Sequence, residues 1–367
     1  MRTYRFKLYK SKRNRKLHKQ INTACLIYNH CIALHKRYYK LFGKSLNLYQ
    51  LQKHITKLKK ISKFAYMKEL GSQAVQDIAE RIDRAYKLFF RNLKHKIRTA
   101  PPSFKKINKY KSFTLKQTGW KLDEASNSIT IGKQRYRYAK SREIEGKIKT
   151  ITVKRDALGD IYLYFVCETS ENEVLARTGK NVGFDFGLKT FLTASDGKDI
   201  KAPLFFRQNA NAIKMASRNL SRKAKGSNNH KKAKIALARL HKKVANQRDN
   251  FHWQTASKLV GEYALICIED LNLKAMQKRF GRKISDLGFA DFVSKLKYKA
   301  HRAGVSVIEV DRFFPSSQLC SDCGYRNTET KNLTIRKWTC PKCGNIHNRD
   351  RNASINIERE GSRIFFA

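Results

Sequence analysis

The sequence predicts a multidomain α+β protein in which an α/β domain is interrupted by a zinc ribbon. Three observations carry this prediction. Two Cys-x-x-Cys pairs stand close to the C-terminal end, and apolar strands alternate with helical patterns after residue 180. Before that residue, helical and β patterns occupy separate stretches. At 367 residues the chain is long enough for two or three domains with cores of their own.

The zinc ribbon is predicted from the spacing of four cysteines. Cys320 and Cys323 form the first pair, and Cys340 and Cys343 form the second. Each pair is followed by a glycine, which permits a tight turn that directs both sulfurs to one metal. This spacing is typical of a tetrahedral Zn²⁺ site with four thiolate ligands. Because that ligand set is closed, we expect a structural Zn²⁺ in residues 319–345 and no need for a histidine ligand.

The charge of the chain predicts a polyanionic partner. Lys and Arg number 79 against 29 Asp and Glu, which gives a formal net charge of +50 at pH 7. No acid precedes Glu69. The segment from Arg207 to Arg248 contains thirteen Lys and Arg residues and no acid. Such a surface attracts nucleic acid. Membrane binding is the competing interpretation, but no apolar run approaches the ~18 residues that a spanning helix needs.

The remaining cysteines and the N-terminal residues indicate an intracellular protein. Charged residues follow Met1 where a signal peptide would have its apolar core. The other four cysteines lie in apolar or helical contexts without pairing spacings, which predicts reduced core thiols: Cys25, Cys31, Cys167 and Cys267.

The first half of the chain predicts a short strand followed by a basic helical domain. Residues 2–9 alternate as a strand, and apolar stripes at three- or four-residue steps predict helices over 21–34, 46–60 and from 71 onward. The helical domain closes at Pro101-Pro102.

A small β-barrel is predicted from Ser103 to about Thr178. Strand patterns occur near Thr130 and over 149–153 and 161–166, and the strand at residues 2–9 can complete the sheet. The interleaved aromatic residues suit stacking on nucleic acid, although about half of them are expected to fill the barrel interior: Phe104, Tyr110, Phe113, Trp120, Tyr136 and Tyr138.

The second half predicts the α/β domain. A hairpin over 181–194 precedes a basic helical region, and the nearly all-apolar stretch 263–270 predicts a central strand with a parallel neighbour. A helix after Phe289, a strand over 305–310 and a final helix over 351–359 complete the domain.

Three carboxylates stand where a catalytic site would place them. Asp185 lies in the first strand of this domain, Glu269 ends the central strand and Asp350 opens the last helix. Carboxylates that converge from different elements form a Mg²⁺ site, and two such ions ~4 Å apart can promote phosphodiester hydrolysis. Taken singly, each acid could instead order a loop, cap a helix or face solvent. Asp270 faces away from Glu269, so only one of the two can be a ligand.

Four ordered motifs resemble those of TnpB, a family of insertion-sequence-encoded, RNA-guided nucleases related to compact type V CRISPR effectors. The basic segment 208–259 is also similar to the family. The motifs are Gly183-Phe-Asp-Phe-Gly-Leu, Ile268-Glu-Asp-Leu-Asn, Pro315-Ser-Ser-Gln-Leu-Cys-Ser-Asp-Cys-Gly and Asn348-Arg-Asp-Arg-Asn-Ala.

The resemblance implies an RNase H-like (RuvC) nuclease domain over 179–318 and 346–367, in which Asp185, Glu269 and Asp350 are the catalytic acids. It further implies a helical recognition domain over 10–104, a β-barrel wedge domain over 1–9 and 105–178, and a nucleic-acid-binding zinc ribbon at 319–345. The basic segment provides the expected nucleic-acid contacts: Arg218, Arg222, Lys223, Lys225 and Arg248.

The resemblance implies an RNA-guided DNA endonuclease that uses Mg²⁺, a guide RNA from the transposon end and target double-stranded DNA. It implies a cytoplasmic prokaryotic protein that acts as one copy per RNA and joins the nucleoid when bound to DNA. Asn348 departs from the family, which commonly has an acid there, so the catalytic acid aligns with Asp350. The alternatives are a nuclease-inactive RNA-guided repressor and an RNA-independent transposition accessory protein.

Overall fold

The computed structural model describes residues 1–169, 179–332 and 334–367, which fall into two compact units, Met1–Ser170 and Glu171–Ala367. Among these described residues, no helix combines the length and the apolar character needed to cross a membrane.

The first unit contains the three predicted helices and one sheet. The helices are α1 (Asn14–Phe42), α2 (Leu48–Leu58) and α3 (Ser72–Lys94). α1 ends at Gly43, whose φ of +62° stops the helix at little steric cost. α2 begins with a capping box, in which the Asn47 side chain accepts from the Gln50 amide and the Gln50 side chain accepts from the Asn47 amide.

The sheet of the first unit has seven antiparallel strands in the order β2-β6-β7-β1-β5-β4-β3. As predicted, β1 completes the sheet across the helical insertion, since it pairs with both β7 and β5. The order begins at β2 and ends at β3, so the sheet approaches the predicted barrel, and no pairing among the described residues closes it. The strands are β1 (Arg2–Leu8), β2 (Ser112–Leu115), β3 (Trp120–Asp123), β4 (Ser128–Ile131), β5 (Gln134–Ala139), β6 (Lys147–Arg155) and β7 (Ile161–Glu168).

The aromatic residues of this sheet mostly serve its core. Of the six predicted candidates for stacking, four are buried: Tyr110, Phe113, Tyr136 and Tyr138. Trp120 is half-buried and donates its indole N–H to the Lys116 carbonyl. Phe104 is the one exposed residue among these six, and the Lys36 ammonium lies over its ring.

The second unit is a five-stranded sheet with helices on both faces. The strand order is β10-β9-β8-β11-β12, and β11 is parallel to both of its neighbours. The elements are β8 (Asn181–Phe186), β9 (Thr190–Ala194), β10 (Ile200–Lys201), α4 (Phe205–Gln208), α5 (Ala210–Ser221), α6 (Asn228–Glu262), β11 (Leu265–Glu269), α7 (Leu273–Leu287), α8 (Phe289–Ala303), β12 (Ser306–Val310), β13 (Lys337–Thr339), β14 (Ile346–Asn348) and α9 (Arg349–Phe366).

Burial on both faces explains the apolar run that predicted β11. Ile266 and Ile268 pack in the cluster formed with α6 and α8, whereas Leu265 and Cys267 pack against Ile357 of α9. Among the differences from prediction, α9 extends to Phe366, and an additional helix, α7, follows the strand that ends in Glu269.

Candidate active site and metal centre

Asp185 and Glu269 lie side by side on adjacent parallel strands. The register pairs Ile268 of β11 with Phe184 of β8, so the next residue of each strand faces its counterpart. Parallel strands lie about 4.8 Å apart, which brings the two carboxylates to one spot. Because Phe184 packs in the cluster with α6 and α8, the alternation of the strand turns Asp185 to the opposite face, beneath α9.

α9 crosses that face directly above Gly183. A Cβ at Gly183 would lie 2.1 Å from the Ser354 carbonyl oxygen and 2.5 Å from the Glu358 amide nitrogen. Asp350 stands one helical turn before Ser354, and Asp185 stands two residues beyond Gly183 on the same face. The close approach that glycine permits therefore carries the start of α9 to the two strand carboxylates.

The start of α9 is fixed by Asn348. Its side-chain oxygen accepts hydrogen bonds from the amides of Asp350 (3.1 Å) and Arg351 (3.2 Å), which makes it the helix N-cap. Asn348 therefore satisfies two amides of the first helical turn that have no partner within the helix. Asp350 occupies the first turn, where the helix dipole favours a negative charge.

Asp185 lies in a partly dry site and is repelled by the other two carboxylates. Burial, then the charges of Asp350 and Glu269, raise the pKa of Asp185 to about 8, although Arg349 and Arg336 oppose the shift. Burial, then Asp270, raise the pKa of Glu269 to about 6. Groups held in this way favour a bound cation or proton, and carboxylate oxygens are the donors that Mg²⁺ prefers. The chemistry of the donor set therefore fits Mg²⁺.

The neighbouring acids have other partners. Asp270 accepts from the Arg312 guanidinium, which follows β12. Asp196 accepts from the Tyr263 hydroxyl at 2.6 Å, and Asp311 accepts from the Phe313 amide at 2.7 Å. Each of these contacts satisfies a carboxylate away from the cluster of Asp185, Glu269 and Asp350.

Arg336 is a residue of the site that sequence reasoning missed. Its guanidinium donates to both carboxylate oxygens of Asp350, at 3.1 and 3.2 Å, and its carbonyl accepts from the Arg349 amide at 2.9 Å. Nothing in its local sequence marks it, because the contact depends on how the segment before β13 folds back onto α9.

The four predicted cysteines come together in one cluster. Their sulfurs lie within 4.8 Å of one another, with Cys323 and Cys340 at 3.5 Å and Cys320 and Cys343 at 3.7 Å. Four thiolates at the ~2.3 Å bond length of zinc in a tetrahedron would stand about 3.7–3.8 Å apart. The cluster could therefore hold a structural metal with little rearrangement, and its size fits Zn²⁺.

Two asparagines attach the cysteine cluster to α9. Asn352, at 1% exposure, accepts from the Ser321 amide and donates to the Leu319 carbonyl, at 2.8 and 2.6 Å. Asn356, one turn later on the same helix face, also donates to the Leu319 carbonyl at 2.8 Å. The turn that carries the first cysteine pair is thus fixed to the helix that carries Asp350.

The five predicted nucleic-acid contacts divide into two groups. Arg218, Arg222, Lys223 and Lys225 are exposed at the end of α5 and in the turn that follows. Arg248 is half-buried in α6, donates to the Ser285 carbonyl at 2.9 Å and packs against Gly288. Arg248 therefore has a structural contact that the exposed residues lack.

Known proteins resemble this chain over almost its whole length. Residues 164–279 match the family described as "Probable transposase" (OrfB_IS605), and residues 289–357 match the "Cas12f1-like, TNB domain". A "Putative RNA-guided DNA endonuclease" of Streptomyces pristinaespiralis is 30% identical over 341 residues, which cover 92% of this chain and 83% of the relative. The chain belongs to the TnpB family of insertion-sequence-encoded, RNA-guided nucleases.

A second relative is similar to this chain in sequence, and two solved structures are similar to it in fold. "Putative RNA-guided DNA endonuclease InsQ" of Escherichia coli (strain K12) is 28% identical over 360 residues, covering 93% of this chain and 87% of the relative. The Cas12f1 protein in a complex with sgRNA and target DNA has a TM-score of 0.58 at 14% identity, covering 95% of this chain and 83% of that chain. The mini-RNA-guided endonuclease CRISPR-Cas_phi3 has a TM-score of 0.54 at 11% identity, covering 98% and 92%. These structures share the multidomain α+β fold.

Proposed function

We propose that this chain is an RNA-guided DNA endonuclease of a transposable element. It binds a guide RNA derived from the transposon end and cleaves complementary DNA next to a short flanking motif. The proposal is carried by Asp185, whose strand face is shared with Glu269 and crossed by α9, and whose pKa is raised by burial and by the charges of Asp350 and Glu269. The names of the TnpB-family relatives support the same activity.

In this proposal the three carboxylates would hold two Mg²⁺ ions. Such a site would supply water activation and charge neutralisation at the leaving oxygen of a phosphodiester. The chain's own residues prepare the site. Gly183 lets α9 approach, Asn348 caps that helix, and Arg336 holds Asp350 in place through its two hydrogen bonds.

The proposed domains follow the family. Residues 179–318 and 346–367 form the RuvC nuclease domain, and 319–345 form the zinc ribbon with four Cys ligands. Residues 10–104 form the recognition domain. Residues 1–9 and 105–178 form the wedge domain, of which 170–178 lie outside the described residues.

The charge of +50 supports the proposed nucleic-acid partners, a guide RNA and target double-stranded DNA. In the related effectors, base pairing reads the sequence while protein groups contact the backbone and the flanking motif. The exposed residues Arg218, Arg222, Lys223 and Lys225 suit backbone contacts. We propose one copy of the protein per RNA, acting in the cytoplasm and on the nucleoid DNA of a prokaryote.

Glu269 and its neighbour Asp270 provide a matched test of catalysis. We expect Glu269→Gln to lower the rate of DNA cleavage at least about 100-fold. Removal of a residue that only hydrogen-bonds to a metal ligand already lowers metal affinity or activity about 10–100-fold, and Glu269 is proposed as a ligand itself. Asp270→Asn, which changes the adjacent acid on the opposite face, should keep cleavage within a few-fold of wild type, since Asp270 pairs with Arg312. The measurement is the rate of target cleavage in Mg²⁺ by each purified protein with its RNA.

The same variants distinguish an active nuclease from a nuclease-inactive repressor. A nuclease predicts that Glu269→Gln still binds target DNA with wild-type affinity while it fails to cut. If the wild-type protein binds guided DNA but never cuts it, and Glu269→Gln changes neither property, the chain is a nuclease-inactive repressor. Equal losses of cleavage in both variants would contradict the assignment of Glu269 over Asp270.

A further inference from the structure

We propose that His347 is a positioning residue that donates a hydrogen bond from Nε2 to the metal-bound Cys320 thiolate and so links the cysteine cluster to α9. The inference rests on the proposed metal ligation by the four cysteines. His347 is 7% exposed, and its Nε2 lies 3.0 Å from the Cys320 sulfur. Its ring packs on Trp338 with centroids 4.9 Å apart, and β13 and β14 pair these two residues.

The geometry favours a hydrogen-bond donor over a metal ligand. Bond lengths of about 2.0 Å to nitrogen and 2.3 Å to sulfur would separate two ligands of a tetrahedral zinc by about 3.5 Å. The observed 3.0 Å is shorter than this separation and places the ring nitrogen in direct contact with the sulfur. The four cysteines already provide a complete set of ligands. The nearest acid, Asp322, lies 3.9 Å from Nε2, which is too far for a hydrogen bond.

The negative charge of the four thiolates explains why a hydrogen bond from His347 to Cys320 would be stabilising. Four thiolates around one divalent cation carry a net charge of −2, and Cys320 is almost completely buried. A metal-bound thiolate has no proton to give, so the imidazole must be the donor. The charge-assisted bond draws electron density from the sulfur and lowers the cost of its burial. Backbone N–H groups of Asp322 and Cys323 act on the same sulfur.

The position of His347 in the chain extends the effect to the carboxylates. The next residue, Asn348, caps α9 and accepts from the Asp350 amide at 3.1 Å. The Arg349 amide donates to the carbonyl of Arg336, whose guanidinium binds Asp350. A metal that holds Cys320 thus also holds His347, and through β14 it fixes where α9 begins. Asn352 and Asn356 form a second connection between the same parts.

Two substitutions separate the hydrogen bond from the ring packing. His347→Phe keeps an aromatic ring against Trp338 but removes the donor, whereas His347→Gln removes the ring and keeps an N–H donor. Asp322→Asn is the matched control, because Asp322 lies near His347 and its carboxylate makes no hydrogen bond to it. The readouts are zinc content of the full-length protein, the rate of zinc transfer to a chromogenic chelator, and thiolate-to-metal charge-transfer absorption after Co²⁺ substitution.

We expect His347→Phe to lose zinc about 10–100-fold faster than wild type. Its charge-transfer band should move to longer wavelength, because a thiolate without the hydrogen bond is more electron-rich. His347→Gln should recover most of both properties, and Asp322→Asn should match wild type. If His347→Phe does not fold, a wild-type band in His347→Gln together with a shifted band in His347→Leu supports the inference equally.

Three results would overturn the inference. Wild-type zinc release and absorption in His347→Phe would exclude the hydrogen bond while leaving the four-cysteine site intact. X-ray absorption showing three sulfur ligands and one nitrogen in the wild-type protein would make His347 a ligand. Wild-type protein that binds no zinc with all four cysteines reduced would remove the proposed metal site itself, whatever the nuclease activity.

Discussion

Asp185→Asn should make the metal-free protein more stable at pH 8 while abolishing DNA cleavage. Burial and the charges of Asp350 and Glu269 raise the folded-state pKa of Asp185 to about 8, far above the ordinary value of 3.8. The wild-type protein therefore loses stability as the pH rises from about 4 to about 8, because ionisation is disfavoured only in the folded state. An asparagine at this position does not ionise, so the variant does not lose this stability as the pH rises.

The gain should be at least about 1 kcal/mol at pH 8, since one pKa unit corresponds to about 1.4 kcal/mol, and it should disappear near pH 4. Thermal unfolding in EDTA at several pH values measures it. Added Mg²⁺ should stabilise the wild-type protein more than Asp185→Asn.

Asp196→Asn is a control of opposite sign. Burial of Asp196 opposes ionisation, but hydrogen bonds from the Tyr263 hydroxyl and the Lys198 amide prevail and lower the pKa of Asp196. That carboxylate contributes stability above its unfolded pKa, so Asp196→Asn should destabilise the protein at pH 8. If Asp185→Asn behaves like Asp196→Asn, Asp185 does not lie in a cluster of repelling acids.

Gly183→Ala should be the most damaging small substitution in the second unit. The added Cβ would lie 2.1 Å from the Ser354 carbonyl oxygen and 2.9 Å from the Glu358 Cα, both in the backbone of α9. Neither atom can move without the helix. We expect a loss of about 1–3 kcal/mol in the free energy of unfolding. Cleavage should fall about 100-fold, because Asp350 moves with α9 and a shift of 1 Å can cost that much.

Gly261→Ala is the matched control for Gly183→Ala. A Cβ at Gly261 meets no atom within 4 Å, and the residue lies in the last turn of α6. Alanine there should be neutral or stabilising by up to about 1 kcal/mol. Denaturant unfolding and cleavage rates of the two variants provide the comparison. Wild-type stability and activity in Gly183→Ala would mean that α9 does not pack on β8 as described.

The sequence predicted those parts of the fold that depend on strong local patterns. The apolar run ending in Glu269 identified the central strand, because only a strand covered on both faces is apolar at every position. The cysteine spacing located the cluster of four sulfurs, and the scarcity of acids drew attention to Asp185. The buried strand and the cysteine cluster could both be predicted because each depends on the identity of a few residues that are close in sequence.

The remainder depends on contacts between distant segments. α7 was not predicted, and in the structure a kink interrupts it at Phe280, whose φ of −127° and ψ of 29° are not helical. The contact of Arg336 with Asp350 and that of His347 with Cys320 form only once β13 and β14 pair as a hairpin. About half of the six aromatic residues were expected in the interior, and four are buried, because alternating strands place apolar and aromatic rings alike in the core.

The measurement that most directly tests the central proposal is RNA-programmed cleavage. The chain is expressed with its native downstream DNA and purified in high salt, and the co-purifying RNA is sequenced. The complex is then offered a plasmid that matches the 3′ end of that RNA. We predict a discrete RNA that extends beyond the element and Mg²⁺-dependent cutting of the matched plasmid alone, which Glu269→Gln abolishes. Only heterogeneous, salt-removable nucleic acid, or cutting that needs neither the RNA nor Glu269, would contradict the proposal.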